Sequence, residues 1–136
     1  MSDHSSLHGI LETLQQRGAR LTPARVTILQ YLCTHSKPVS VRTLERALPT
    51  INIVTLYRVL EYLTKQNLVR LVMHSRKQQY FELADPYHRH HDHTVCVVCG
   101  QVSDLRCRLT VPARKDFIPQ THVVTVYGYC KHHKTL

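Results

Sequence analysis

The sequence contains no run of about 18 apolar residues, the length a helix needs to cross a bilayer. Its opening residues, MSDHSS, lack the basic-then-apolar pattern of a secretory leader. Both absences lead to the expectation of a cytoplasmic protein with no membrane partner. Internal repeats and low-complexity tracts are missing too. Acidic side chains are scarce, nine against 18 Lys and Arg, for a net charge of +9. Such a surplus favours a polyanionic partner. A disulfide framework is disfavoured, because five cysteines is an odd number and a reducing cytosol keeps thiols free. At 136 residues the chain suffices for one ordinary domain or two very small ones. Two small cores would be insecure without a staple such as a metal ion.

What is present divides between two halves. Residues 1–83 carry eleven Lys and Arg against five acids, whereas residues 84–136 carry seven against four. The histidines run the other way: seven of eleven lie after residue 87. In the first half, Leu7, Ile10, Leu11 and Leu14 fall at helical spacing, with Gly18 suited to a left-handed stop near Arg17. Thr22 and Pro23 open a second predicted helix that turns Val26, Leu29, Leu32 and Cys33 inward. A third follows Ser40 with Val41, Leu44 and Leu48 on its face and ends at Pro49. Asn52 caps a fourth, striped by Leu56, Val59, Leu60 and Leu63. Residues 68–83 then change period, and LVRLVM and QQYFEL around HSRK predict a hairpin. Helices followed by a two-stranded wing are the winged-helix plan. ADPYH has linker chemistry. Beyond it HTVCVVC, QVSDL and HVVTVYG predict short strands, with a short helix possible between Arg108 and Phe117 against the opposition of Pro112.

The fourth helix is the candidate DNA reader. With its leucines inward, Val54, Arg58 and Glu61 face out and Thr55 and Tyr57 flank them. Tyr can meet a thymine methyl, and Arg can fork onto guanine or grip phosphate. Arg76 and Lys77 at the wing tip, and Arg20 and Arg25 near the second helix, are candidate phosphate contacts. A solvated basic helical domain, or a protein-docking module, is the plainer alternative.

The second half concentrates metal donors. Cys96 and Cys99 in CVVCG pair with Cys130 and His133 in CKHH, His132 being the less favoured partner, and this double three-residue spacing predicts structural zinc. A redox dithiol normally opens a helix beside a βαβ unit, and none is apparent. His91 and His93 alternate about Asp92, so on a strand they share one face while His90 and Asp92 share the other. Glu82 and Asp104 can complete the first set, and His122 the second. Nitrogen and carboxylate donors suit Fe(II), Mn(II) or Zn(II). A solvated His-rich loop is the bland reading of both. Cys33 reads as a small core residue. Cys107 stays open between a surface thiol and a replacement ligand.

GARLTPAR, TLYRVL, FEL, HHDHTVCVVCG and HVVTVYGYC, in this order, resemble the ferric uptake regulator family over roughly residues 7–133. The resemblance implies an α+β fold: an N-terminal winged helix-turn-helix domain over 1–83, a hinge over 84–88, and a small α/β dimerisation domain over 89–136. It implies a homodimeric, metal-dependent repressor, not an enzyme, that binds AT-rich palindromic double-stranded DNA to control metal uptake or homeostasis. Iron is the first expectation, with zinc-uptake and peroxide-responsive branches as alternatives. By position Tyr57 and Arg58 match recognition-helix contacts, and Arg20 matches a residue that enters the minor groove. Glu82, His91, His93 and Asp104 match regulatory ligands, and His90, Asp92 and His122 match a further site.

Three departures stand out. Lys37 occupies the place of a regulatory histidine, so either the nearby His35 substitutes or the site closes with fewer protein ligands. The segment between Asp104 and His122 is short and lacks the glutamate of the further site, with Asp116 its only remaining acid. His133 replaces the last cysteine of the zinc site, which zinc accepts. From another class, a metal-dependent nuclease also fits basic surface plus His and Asp. A metal buffer with incidental DNA affinity is the third option. The deaminase signature is absent, since no Pro precedes Cys96.

Overall fold

The computed structural model describes residues 3–35, 37–75, 78–84, 90–119 and 121–134. The chain divides into two compact units, Met1–His88 and Arg89–Leu136.

The first unit is built by local signals at each helix end. Helix α1 (Asp3–Gln16) stops where Gly18 takes φ +75°, with the Ala19 amide returning to the Leu14 carbonyl at 2.9 Å. Helix α2 (Pro23–Thr34) starts at Thr22, whose hydroxyl accepts from the Arg25 amide. Ser40 does the same for α3 (Val41–Ala47) through the Thr43 amide, and Asn52 for α4 (Ile53–Lys65) through the Thr55 amide. Asn67, at φ +57°, ends α4 and lets the Leu68 amide reach the Leu63 carbonyl at 3.0 Å.

The apolar stripes of these helices meet in one core, in which Ile10, Leu14, Ile28, Leu29, Leu44 and Leu56 are fully buried. Ile28, not Val26, is the buried residue in the second turn of α2, because the helix turns the Ile28–Leu29–Leu32 edge to the core and leaves Val26 half-buried. The wing is β2 (Val69–Ser75) against β3 (Gln78–Leu83), antiparallel, with an irregularity between Leu71 and Met73. A strand not foreseen from the sequence, β1 (Val39–Ser40), pairs with β3 to give the order β1-β3-β2. The sheet so formed covers the open end of the helical core through Phe81 and Leu83.

The second unit is a three-stranded sheet of order β5-β4-β6, made of β4 (Asp92–Cys96), β5 (Val102–Leu105) and β6 (Thr125–Gly128). Strand β4 runs antiparallel to β5 and parallel to β6. A parallel neighbour requires a long crossover, here residues 106–124. The expected short helix between Arg108 and Phe117 does not form: the stretch is irregular and ends in a tight turn that Arg114 and Phe117 bridge. Pro112 denies it a helical hydrogen bond, and the exposed run from Arg108 to Phe117 offers no face to bury. Among its described residues the unit is sheet and loop, and beside the helical first unit it makes the chain α+β. Its buried apolar side chains there are Val95 and Cys96 alone.

Candidate DNA-reading helix and metal centres

Helix α4 buries Leu56, Val59, Leu60 and Leu63 and so fixes what faces water. Tyr57 is 49% exposed, Arg58 is exposed, and Thr55 is half-buried beside them. Arg20 is exposed just ahead of α2. Arg25 is committed internally: its guanidinium donates to the Arg20 carbonyl at 2.7 Å and lies 3.7 Å from the centre of the Tyr62 ring. That contact braces the start of α2 against α4. Arg76 and Lys77 lie outside the described residues.

The zinc candidate is assembled from two turns. At the end of β4 the Gly100 amide closes onto the Cys96 carbonyl at 2.8 Å, and Gly100 takes φ +74°, which brings Cys99 back beside Cys96. Pairing of Cys96 with Gly128 carries the chain from β6 into the second turn, where the His133 amide bonds to the Cys130 carbonyl at 2.9 Å. Cys99 Sγ lies 3.9 Å from Cys130 Sγ, and His133 Nδ1 lies 3.7 Å from Cys96 Sγ and 3.1 Å from Cys130 Sγ. Thiolate and imidazole ligands of a tetrahedral zinc ion lie about 3.5–3.8 Å from one another, given Zn–S near 2.3 Å and Zn–N near 2.0 Å. The four residues therefore fit the ion.

Backbone amides already favour one thiolate in this knuckle. Those of Cys99 and Cys130, with help from Val98, outweigh desolvation and lower the Cys96 thiol from 9.0 to about 5. Cys99 moves the opposite way. The Gln101 amide favours its thiolate, but desolvation and the neighbouring Cys96 and Cys130 sulfurs push it above its ordinary value. Sulfurs packed this closely resist carrying several negative charges at once, and a dication removes that conflict.

Strand β4 also sorts the histidines. His91 and His93 stack edge to face with ring centres 4.7 Å apart, and His91 Nε2 lies 3.4 Å from Asp104 Oδ1. Asp104 reaches them because β5 pairs it with His93. His93 is fully buried. In the first unit, Glu82 is 2% exposed, and its Oε1 accepts from Arg70 Nε at 2.8 Å and from the Arg70 guanidinium Nη2 at 2.5 Å. Arg70 escaped the sequence reading. The irregularity between Leu71 and Met73 moves it opposite Glu82, where counting back from the wing tip would have put Leu71. His35 is exposed, stacked 3.9 Å from Tyr31 and 2.6 Å from the Tyr31 carbonyl, and joins no donor cluster among the described residues. Lys37 is exposed.

On the other face of β4, His90 Nε2 and His122 Nε2 stand 2.9 Å apart, with Asp92 Oδ1 at 3.8 and 3.6 Å from them. Cys107 joins this group, its Sγ 3.1 Å from His122 Nε2. Asp116 does not: it is exposed and paired with Arg114 at 3.5 Å.

A winged helix with an outward reading edge, in one chain with a small sheet that gathers cysteine, histidine and aspartate donors, defines a metal-responsive DNA-binding regulator. The ferric uptake regulator family model matches residues 16–127. The chain belongs to that family, whose members regulate transcription. It is 27% identical to the peroxide-responsive repressor PerR of Staphylococcus aureus (strain USA300), over 89% of this chain and 86% of that one. Its fold is similar to that of the Helicobacter pylori ferric uptake regulator, described as having three functional metal binding sites (TM-score 0.70, 18% identity, 97% and 93% of the two chains). It is similar also to that of a zinc uptake regulator complexed with zinc and DNA (TM-score 0.61, 20% identity, 97% and 95%). No helix among the described residues is long and apolar enough to cross a membrane.

Proposed function

We propose that the chain is a homodimeric repressor that binds an AT-rich palindromic operator when a regulatory metal is loaded. Tyr57 and Arg58 read the major groove, and Arg20 supplies a basic contact beside it. The observation that carries this reading is the outward pair Tyr57–Arg58 on a helix whose opposite face is locked into the core. The zinc uptake regulator bound to DNA supports it by likeness of fold.

Zinc at Cys96, Cys99, Cys130 and His133 supplies the fold of the second unit. Apolar side chains exposed there, Phe117, Ile118 and Val126 among them, support self-association. The regulatory ion falls to His91, His93 and Asp104, and the family resemblance adds Glu82. When bound it supplies a preference for the DNA-competent arrangement. A shift from about 1:99 to 99:1 requires roughly 5.5 kcal/mol of such preference, which three or four well-placed ligands can provide and two histidines cannot. Two imidazoles with carboxylates suit Fe(II), so iron is the first assignment. The likeness to PerR favours peroxide response through the same ligands as the second reading.

Gel retardation tests this directly. Metal-dependent, reversible binding of an AT-rich palindrome is expected, and Tyr57→Ala should weaken it by about 1–3 kcal/mol, the worth of a base-directed contact, while metal content stays unchanged. Equal affinity of variant and wild type would remove the recognition-helix assignment. Metal-dependent cleavage of the DNA would instead indicate a nuclease.

A further inference from the structure

The second face of β4 gathers one more donor than its imidazoles and carboxylate. His90, just ahead of the strand, comes to 3.8 Å from Asp92, the strand's first residue. The His93 amide bonds to the Val124 carbonyl at 3.1 Å, which brings the preceding His122 alongside them. Cys107 follows β5 by two residues and arrives at the same point. The four donor atoms, two imidazole nitrogens, one carboxylate oxygen and one sulfur, all lie within 4.8 Å of one another. The Asp92 side chain is only 5% exposed, yet its Oδ1 accepts no hydrogen bond; the His90 and His122 nitrogens stand too far off for one, at 3.8 and 3.6 Å. A buried carboxylate oxygen in that state is costly unless a cation meets it. The one acid of the crossover, Asp116, points to Arg114 instead.

We propose that Cys107 is the fourth ligand of a closed metal site with His90, Asp92 and His122, and that its thiolate selects zinc over manganese. Four protein donors fill a tetrahedral ion without leaving room for water, as in structural zinc sites. A thiolate in place of an oxygen donor disfavours the hard, octahedral ions. Zinc entry displaces the proton of the Cys107 thiol to solvent as the Zn–S bond forms. Cys107 Sγ lies 3.1 Å from His122 Nε2, so one ion can be reached by both. The site differs in character from the knuckle at Cys96: one sulfur, not three, and no backbone turn wrapped around it.

The test uses the full-length protein, zinc or cobalt(II) salts alone, and no DNA, so its failure leaves the DNA-binding proposal standing. Cobalt titration of demetallated wild type should give thiolate-to-cobalt charge-transfer absorption in two phases, a strong one from the three-sulfur knuckle and a weaker one from Cys107. Cys107→Ser should keep the first phase, lose the second, and bind zinc at the second site at least about 100-fold more weakly, since even loss of a residue that merely orients a ligand costs 10–100-fold. Cys107→Asp should restore binding without the sulfur absorption and narrow the preference for zinc over manganese. A second readout leaves every ligand but one intact: zinc should protect Cys107 from iodoacetamide in wild type and fail to do so in His122→Ala. An unchanged cobalt spectrum in Cys107→Ser, or alkylation of Cys107 equally fast with and without zinc in wild type, would overturn the proposal.

Discussion

Replacing Cys96 by Ser should unfold the second unit and leave the first intact. The magnitude follows from the two cores. Sixteen buried apolar residues hold the first unit together, whereas Val95 and Cys96 are the only ones among the described residues of the second. Burying one aliphatic side chain contributes about 1.5–3 kcal/mol. A structural zinc ion contributes about 10–16 kcal/mol near neutral pH, as much as the whole stability of an ordinary domain. Losing one of four ligands from a knuckle this dominant leaves nothing of comparable size to hold β4, β5 and β6 in register. The variant should lose zinc and sediment as a monomer. Its amide protons over Asp92–Cys96 and Thr125–Gly128 should exchange freely while those of α2 and α4 stay protected. A zinc-free Cys96→Ser protein that keeps both its dimer and its protected β4 amides would refute the reasoning.

Two further outcomes test the electrostatics. The Cys96 thiol is depressed to about 5 in the folded chain, so its contribution to stability is fully present above its ordinary value of 9.0 and is lost as pH falls through about 5. Protons compete with zinc for the same ligands, so zinc should leave the knuckle progressively on acidification. Cys99, raised above its ordinary value, should make zinc binding tighten further as pH rises past 9, as a chromogenic chelator can follow. In the first unit, Arg70→Ala leaves the 1%-exposed Glu82 carboxylate without its guanidinium. About 3–5 kcal/mol should be lost from the unfolding free energy, and Arg70→Met with Glu82→Leu should recover most of it. A loss below about 1 kcal/mol in urea unfolding of the single variant would show that the pair is not buried in solution.

The helix starts were legible because each is written in a few adjacent residues: Thr22 before Pro23, Ser40 before Val41, Asn52 before Ile53. The four-residue knuckle was legible for a similar reason, two short turns each carrying its own spacing. What escaped depended on long-range pairing. Strand β1 is two residues long and exists only because β3 is there to receive it. Arg70 meets Glu82 through an irregularity that no count along the hairpin anticipates. The stretch between Arg108 and Phe117 carried enough apolar residues to resemble a helix, but nothing packs on it. Cys107 sits in an irregular segment without periodicity, so its convergence with His122 rests on the path of the crossover and left no local trace.

Strand β4 imposes a parity rule on the whole unit. His90, two residues ahead of the strand, and its first residue Asp92 lead to one cluster of donors, His91 and His93 lead to another, and Cys96 closes the strand at the knuckle. A single residue inserted between His93 and Cys96 would rotate the upstream imidazoles to the wrong sides of the sheet while the knuckle kept its place. Length can change here only by twos, and even then every partner from β5 and the crossover would need to shift with it. One five-residue strand thus ties separate donor clusters to a common ruler.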